Sequence, residues 1–404
     1  MSAPVPRRGQ GKGDRDVRYR SGRHFLQLPG PTNVPHRILR AMARPLIDHR
    51  GSEFGRMVLG IFESLEELFG ARAGVLVFPS SATGCWEAAL VNTLSPGDRV
   101  LVYENGFFAK KWAATALALG LSVEVVEGDW RRPVDPGRIE ERLAGEEGEK
   151  IRAVLIVHNE TSTGVTSDVP AVRSALHAAD SDALLMVDAV SSLGATAYRH
   201  DEWGVDVTVC GSQKGLMLPP GLAFCAVSEK ALAWHEEAGT PRAYWDWTAM
   251  RRFNEQGFFP YTPPTALLFG LVEALAMLRE EGWEAVFARH ARHAEATRRA
   301  VAAWGLDNYC ADPRAYSRSG TTVCVPEDAD ADALRLEILE RFDMSLGSGL
   351  GPLGGRVFRI GHLGDLNDLM LMGTLAGVGM GLRCARVPHQ PGGVEAAMTY
   401  LADT

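Results

Sequence analysis

The chain has 404 residues, of which 46% are apolar, 23% charged and 8% aromatic. This composition is typical of a globular protein with a large core, and it excludes the disordered, collagen-like and small disulfide-scaffold classes. A formal net charge of −8 argues against a dedicated nucleic-acid binder and favours small molecules as partners.

The N-terminus, the cysteines and the apolar segments bear on where the chain resides. Residues 1–24 are predicted to form a flexible basic tail, which lacks the apolar segment of a secretory signal. The longest uncharged apolar segment, Leu369–Leu382, has 14 residues, too few to span a membrane, and is predicted to be a packed helix. The six cysteines show no CxxC pair and no Cys/His cluster at metal-ligand spacing. We therefore expect reduced thiols in a cytoplasmic protein without a metal site.

Seven short, largely apolar segments follow one another between residues 73 and 228. They are predicted to be buried strands, at Ala73–Phe78, Arg99–Tyr103, Ser122–Val126, Ala153–Val157, Leu184–Val187, Val205–Val209 and Leu222–Val227. Helical patterns lie between most of them, which favours repeated βα units. We predict an α/β domain with a mostly parallel, seven-stranded sheet, in which ligands lie at the carboxyl ends of the strands.

The pattern changes after Pro263-Pro264. Two long helices are predicted at Ala266–Leu278 and Ala285–Trp304, before a strand at Thr321–Val325 and a helix at Ala331–Phe342. These elements indicate a smaller C-terminal α+β domain. We predict a large domain over residues 25–280 and a small one over residues 281–404.

A carboxylate and a lysine follow two neighbouring strands of the predicted sheet. Leu184–Val187 runs directly into Asp188, and Val205–Val209 is soon followed by Lys214. Pyridoxal phosphate (PLP) chemistry needs such a pair, because the lysine forms a Schiff base and the carboxylate keeps the ring nitrogen protonated. On spacing alone, a surface lysine and an aspartate that caps a turn explain the two residues equally well.

The segment after the first predicted strand has the composition of a phosphate-binding loop. Pro79-Ser80-Ser81-Ala82-Thr83-Gly84 offers small residues, hydroxyl groups and free backbone N–H groups at the start of a helix. An ordinary Ser/Thr helix cap has the same composition and is the commoner case. The segment has neither the P-loop nor the GxGxxG spacing, which disfavours nucleoside triphosphates and NAD.

Seven motifs, in order along the chain, give the sequence a specific resemblance. They are Leu28-Pro29-Gly30-Pro31-Thr32-Asn33-Val34-Pro35, Asp48-His49-Arg50, His158-Asn159-Glu160-Thr161-Ser162-Thr163-Gly164, Val187-Asp188-Ala189-Val190-Ser191-Ser192, Gly211-Ser212-Gln213-Lys214-Gly215, Pro260-Tyr261-Thr262-Pro263-Pro264 and Phe358-Arg359-Ile360-Gly361-His362. From about residue 25 onward the chain resembles the class V aminotransferases of the alanine–glyoxylate type, most closely the serine–glyoxylate aminotransferases. The resemblance implies the PLP-dependent transferase fold type I and a homodimer with shared active sites.

The resemblance also implies how the cofactor is held. Lys214 would carry PLP and move the substrate proton, and Asp188 would pair with the ring nitrogen. Phe108 would stack on the ring where many relatives have tryptophan, and Thr161 falls where relatives bind the ring hydroxyl. The positions that match phosphate contacts are Ser81, Ala82, Thr83 and Gln213, with Tyr261 and Thr262 reaching across from the partner subunit.

Four further positions match the substrate side of the family's site. Arg359 matches the arginine that binds the substrate carboxylate, for which a bidentate guanidinium is well suited. His49 and Arg50 match a loop that enters the neighbouring subunit's site and contacts the amino donor. Gly51 follows them where relatives have serine. Pro31, in the first motif, is also assigned to substrate binding.

We therefore expect a PLP-dependent transaminase that moves an amino group from a small L-amino acid, foremost L-serine, to glyoxylate, giving hydroxypyruvate and glycine by a ping-pong mechanism. Aspartate or alanine as donor is the nearest alternative, with His49 and Arg50 binding the second carboxylate of aspartate. An elimination or desulfurase enzyme is a further alternative, in which Cys324 would be the nucleophile, although its strand-like surroundings favour an inert thiol. A non-catalytic PLP-binding protein is the last. No contact with nucleic acid or membrane is expected.

Overall fold

The structure of the protein, a computed structural model, describes residues 21–404. The predicted basic tail therefore lies, up to residue 20, outside the described residues. The strands are β1 (Phe25–Gln27), β2 (Val75–Phe78), β3 (Arg99–Glu104), β4 (Ser122–Glu127), β5 (Ile151–Val157), β6 (Asn159–Glu160), β7 (Val165–Thr166), β8 (Leu184–Asp188), β9 (Val207–Gly211), β10 (Ala223–Val227), β11 (Gly320–Cys324), β12 (Met344–Ser348) and β13 (Val357–Gly361).

The α-helices lie between these strands and cover their faces. They are α1 (His36–Met42), α2 (Ser52–Phe69), α3 (Ala82–Thr93), α4 (Phe107–Ala118), α5 (Pro136–Leu143), α6 (Val169–Ala178), α7 (Glu229–Glu237), α8 (Trp247–Asn254), α9 (Thr265–Glu281), α10 (Trp283–Ala303), α11 (Ala331–Phe342), α12 (Asp368–Cys384) and α13 (Gly393–Asp403). Within residues 21–404, no helix combines the length and the apolar character that crossing a membrane requires.

The large sheet has the predicted seven strands, in the order β2-β10-β9-β8-β5-β3-β4. Every predicted strand is present, with ends displaced by two residues at most. Pairing is parallel except at β10, which runs antiparallel to β2 and β9. All residues of β8, β9 and β10 are buried, as their continuous apolar runs require in a sheet covered on both faces. The predicted fold class is thus confirmed.

A second sheet, of order β1-β12-β13-β11, lies with α11 and α12 around a separate apolar core. Its first strand comes from the other end of the chain, since β1 pairs in parallel with β12. The sequence-based boundary at residue 25 places β1 in the large domain, whereas the structure pairs it with the small sheet. Helix α10 contributes Val286 to the large core and Ala300 to the small one. The predicted division between residues 280 and 281 remains a prediction.

Two strands of the large sheet and one of the small sheet position three charged residues predicted for the site. Strand β8 ends at Asp188, and β9 ends three residues before Lys214. Strand β13 carries Arg359. In the sheet register, Arg359 lies opposite Thr322 of β11 and Gly347 of β12. Arg359 Nη1 donates to the carbonyl oxygen of Thr161, shortly after the end of β5, so β13 lies close to the carboxyl end of a central strand.

Candidate active site

A cavity of about 190 Å³ lies at the carboxyl ends of β8 and β9. Helix α3 begins at its edge, and α4 provides Phe108. Eight residues predicted for the site line it: Ser81, Ala82, Thr83, Phe108, Thr161, Asp188, Gln213 and Lys214. The structure thus brings together residues from widely separated parts of the sequence around one space. Their chemical roles remain predictions.

One end of the cavity is suited to an anion. Ser81 has the extended backbone of an N-cap residue, and its side chain makes no capping hydrogen bond to α3. The first-turn N–H groups of this helix therefore lie beside the cavity with the positive end of the helix dipole. Gln213 also lines the cavity, and its side-chain amide carries N–H groups that can donate to an anion. A phosphate group fits such a place.

Asp188 is buried and held from two sides. Its Oδ2 accepts a hydrogen bond from Trp86 Nε1 at 2.8 Å, and its Oδ1 accepts one from the backbone N–H of Val190 at 2.8 Å. Burial raises the pKa of Asp188 to about 7, and these two donors oppose that shift. A cationic partner in the cavity would favour the charged carboxylate.

Lys214 is also buried, and its Nζ donates a hydrogen bond to the carbonyl oxygen of Pro29 at 2.5 Å. Burial lowers the pKa of Lys214 to about 8, and the positive charge of Arg359 adds to that effect. An amine with such a pKa is partly neutral near pH 7 and can act as a nucleophile or a base. Thr32 joins this arrangement, since its backbone N–H donates to the Gln213 carbonyl at 3.2 Å.

Glu160 was not predicted as a site residue, yet it organises one wall. Its carboxylate accepts hydrogen bonds from the backbone N–H groups of Phe108 and Ala109, at 3.0 and 3.2 Å, and from Ser162 Oγ at 2.6 Å. Because these N–H groups begin α4, Glu160 fixes the start of the helix that carries Phe108. A Cβ at Gly106 would lie 2.2 Å from Glu160 Cγ, so only glycine leaves room for this contact.

Arg359 reaches toward the same region from β13. Its Nε donates to the carbonyl oxygen of Ser348 at 2.8 Å, and its Nη1 donates to that of Thr161 at 3.1 Å. These acceptors are neutral, so they orient the guanidinium without balancing its charge. Burial lowers the pKa of Arg359 to about 10, while the negative Glu160 opposes that shift. An oriented guanidinium of this kind is suited to a carboxylate ligand.

Arg359 approaches the cavity without lining it, and five further predicted site residues do not line it in the single chain. Tyr261 stacks on Tyr244 with ring centroids 4.6 Å apart, and its hydroxyl is buried without a partner among the described residues. The others are Pro31, His49, Arg50 and Thr262. Pro31 is exposed and follows Gly30, which packs on Lys214. The predicted approach of the remaining four from a partner subunit is not tested by a single chain.

Sequence reasoning missed several residues that line the cavity, among them Trp86, Asn159 and Ser191. Trp86 had a detectable signal, since it lies three and four residues after Thr83 and Ala82 and therefore on the same face of α3. Asn159 donates to Ser191 Oγ at 2.8 Å and to Ser319 Oγ at 2.9 Å. It thereby connects the cavity wall to the segment before β11.

Comparisons with known proteins agree on one family. The profile of the family described as aminotransferase class V matches residues 24–349. The chain is 47% identical to a serine–glyoxylate aminotransferase of Methylorubrum extorquens, over 95% of this chain and 97% of that protein. It is 46% identical to an L-aspartate–glyoxylate aminotransferase of Paracoccus denitrificans, over 93% of this chain and 96% of that protein.

The fold comparison gives the same picture. The crystal structure of a ureidoglycine–glyoxylate aminotransferase from Bacillus subtilis superposes with a TM-score of 0.88 at 27% identity. The match covers 95% of this chain and 99% of that one. With 95% of the chain covered, the similarity includes elements of both sheets.

Proposed function

Because the chain belongs to the class V aminotransferase family, we propose that it transfers the amino group of a small L-amino acid, foremost L-serine, to glyoxylate, giving hydroxypyruvate and glycine. The observation that carries this proposal is the placement of the buried Lys214 and Asp188 around one cavity. The similarity to a serine–glyoxylate aminotransferase over nearly the whole chain supports the choice of substrates.

The residues around the cavity fit PLP as the cofactor. A buried carboxylate, Asp188, is available for the ring nitrogen, and Phe108 offers an aromatic face for the ring. The backbone N–H groups at the start of α3 and the side-chain amide N–H groups of Gln213 offer hydrogen-bond donors for the phosphate end. When bound, the cofactor supplies an aldehyde that joins amines and a ring that stabilises negative charge at the substrate Cα.

Each side chain then has a defined task. With the cofactor bound, the neutral amine of Lys214 would take the proton from the substrate Cα and return it to the cofactor carbon on the other side of the substrate nitrogen, a 1,3-shift. Asp188 accepts a hydrogen bond from the protonated ring nitrogen and keeps it charged. Arg359 binds the α-carboxylate of both substrates, which therefore occupy the same place in turn. The first product leaves before glyoxylate enters, which is a ping-pong mechanism.

A donor panel tests the proposed reaction. Initial rates with glyoxylate are measured for L-serine, L-alanine and L-aspartate at several concentrations of both substrates. We expect parallel lines in double-reciprocal plots and the highest kcat/KM for L-serine. Equal or faster turnover of L-aspartate would identify that amino acid as the donor. L-Aspartate is the foremost alternative because the chain is similar to an L-aspartate–glyoxylate aminotransferase.

A desulfurase activity finds little support in the structure. Cys324 lies on β11 in register with Val357, and burial raises the pKa of its thiol. It is absent from the cavity lining, and a thiol with a raised pKa is a poor nucleophile. Substitution of Cys324 by alanine is expected to leave transamination unchanged.

We also propose a homodimer in which each subunit completes the other's site. Support comes from Leu46, an apolar side chain that is 71% exposed three residues before His49. A mixture of Lys214→Ala and Arg50→Ala subunits tests this proposal. If Arg50 serves the partner's site, mixed dimers hold one complete site and regain activity. If it serves its own subunit, mixing restores nothing.

For the compartment, we propose the cytoplasm. All six cysteines are unpaired thiols, four of them buried. Proteins of reducing compartments keep cysteines in this state. Fractionation of the native cells should recover the activity in the cytosolic fraction.

A further inference from the structure

We propose that Trp86 is a positioning residue, whose indole N–H holds Asp188 oriented and ionised toward the ring nitrogen of the cofactor. This inference rests on the proposed function, because the ring nitrogen belongs to PLP. Trp86 acts through Asp188 and takes no proton itself.

The geometry around Asp188 leaves a definite direction for its ligand. Trp86, on α3, is 2% exposed, and its Nε1 lies 2.8 Å from Oδ2. The backbone N–H of Val190 lies 2.8 Å from Oδ1. One donor on each oxygen fixes the rotation of the carboxylate group. Trp86 and Asp188 both line the cavity, so the lone pairs of Asp188 that accept from neither donor are available to a ligand there.

The chemistry of an indole suits this task. Burial favours the neutral form of a carboxylate. A protonated Asp188 would carry no negative charge, so it could not form an ion pair with the protonated ring nitrogen. An indole N–H donates and never accepts, so it favours the charged carboxylate at every pH at which the protein is folded. A hydroxyl in the same place could turn around and donate elsewhere. The titratable groups that face Asp188 are Lys214, Glu160, Cys210 and Tyr198.

A second tryptophan provides a matched control. Trp112, on α4, stacks on Trp86 with ring centroids 5.8 Å apart and an angle of 16° between the planes. It is fully buried, and its Nε1 has no hydrogen-bond partner among the described residues. Trp112→Phe therefore removes an indole N–H from the same stacked pair without removing a hydrogen bond to Asp188.

The first test is cofactor binding by the apoprotein, measured for PLP and for the analogue in which C–H replaces the ring nitrogen. In Trp86→Phe we expect PLP affinity to fall about tenfold or more, the usual effect of losing a hydrogen bond to a charged group. The affinity for the analogue should hardly change, because the analogue makes no charged contact with Asp188. Trp112→Phe should affect both molecules equally.

The second test is kinetic. Trp86→Phe should lower kcat by about tenfold or more with little change in KM, and should shift the pH dependence of kcat. In an Asp188→Asn background the same change should have less than about a twofold effect, because residues that act as a unit are not additive. Trp112→Phe should keep the wild-type pH dependence.

Two results would overturn the role of Trp86. One is an equal loss of affinity for PLP and for the analogue in Trp86→Phe, which would indicate packing alone. The other is wild-type kcat and pH dependence in that variant. A wild-type protein that binds neither molecule and transaminates nothing would instead refute the proposed function.

A second pair of variants decides the matter if Trp86→Phe does not fold. Trp86→Gln and Trp86→Met have side chains of similar length, and only glutamine carries a donor. The glutamine variant should bind PLP several times more tightly than the methionine variant, with no such difference for the analogue. Equal PLP affinity in the two variants would contradict the proposal.

Discussion

Gly30 packs so closely on Lys214 that a Cβ at residue 30 would lie 2.3 Å from the lysine Cδ and 2.4 Å from Nζ. Gly30 also has a φ of +98°, which other residues adopt only with strain. The segment that follows β1 therefore packs directly over the Lys214 side chain, to which we assign the proton transfer. Its shape depends on the absence of a side chain at this position.

Substitution of Gly30 by alanine should displace Lys214 and lower kcat by about a hundredfold, because small misplacements at a reacting group are costly. Gly97→Ala is the matched control: Gly97 has a φ of +90°, and a Cβ there would meet nothing within 4 Å. Both variants should lose about 1 kcal/mol of stability from backbone strain. Assays of kcat and thermal unfolding that show the two variants equally active would contradict the role of Gly30.

Attachment of PLP to the apoprotein should depend on pH through Lys214. Because burial lowers the pKa of this amine to about 8, its neutral, nucleophilic form increases as the pH rises through 8. The rate of covalent attachment, followed by visible absorption, should therefore rise with a midpoint near pH 8. Lys214→Ala should still bind PLP, but without a bond that borohydride can fix. A midpoint above pH 10 would show an ordinary, solvated lysine.

Arg359→Lys should weaken binding of both substrates although the charge is kept. A lysine ammonium cannot reproduce the two parallel N–H groups with which a guanidinium binds a carboxylate. KM for L-serine and for glyoxylate should each rise about tenfold or more, with a smaller change in kcat. Arg335→Lys is the control, since Arg335 lies on α11 and pairs with Asp332. An increase for one substrate alone would show that the two carboxylates bind at different places.

Glu160→Gln should disturb the start of α4. Glutamine has one accepting oxygen, so it loses either the hydrogen bonds from the N–H groups of Phe108 and Ala109 or those from Ser162, and the free energy of unfolding should fall by about 2 kcal/mol. Both sets bear on the start of α4, since Ser162 Oγ accepts from the N–H of Phe107. PLP affinity should fall as well, because Phe108 moves with the helix. Asp168→Ala, which removes the side-chain cap of α6, should cost about 1 kcal/mol of stability without affecting PLP affinity. Unchanged PLP affinity in Glu160→Gln would contradict the idea that the hydrogen bonds of Glu160 position Phe108 for cofactor binding.

The sequence predicted the large sheet well because its strands are continuous apolar runs, a signal that depends on local pattern alone. The proximity of Asp188 and Lys214 was predicted as well, because Asp188 follows one predicted strand, Lys214 comes soon after another, and both strands end at the same edge of the sheet. The contacts of Trp86 and Glu160 were not predicted, since each is made across the fold, to a strand end and to the N-terminus of another helix. The pairing of β1 with β12 is also a contact across the fold. Strand β1 has only three residues, which carry too little pattern to identify a partner strand more than 300 residues away.

The most direct test of the account is a single half-reaction. The PLP-loaded enzyme is mixed with L-serine in the absence of glyoxylate, while visible absorption and products are followed. We predict loss of the visible band with release of about one hydroxypyruvate per subunit, and return of the band with formation of glycine when glyoxylate is added. Release of pyruvate and ammonia, or a band that L-serine does not change, would contradict serine–glyoxylate transamination by this protein.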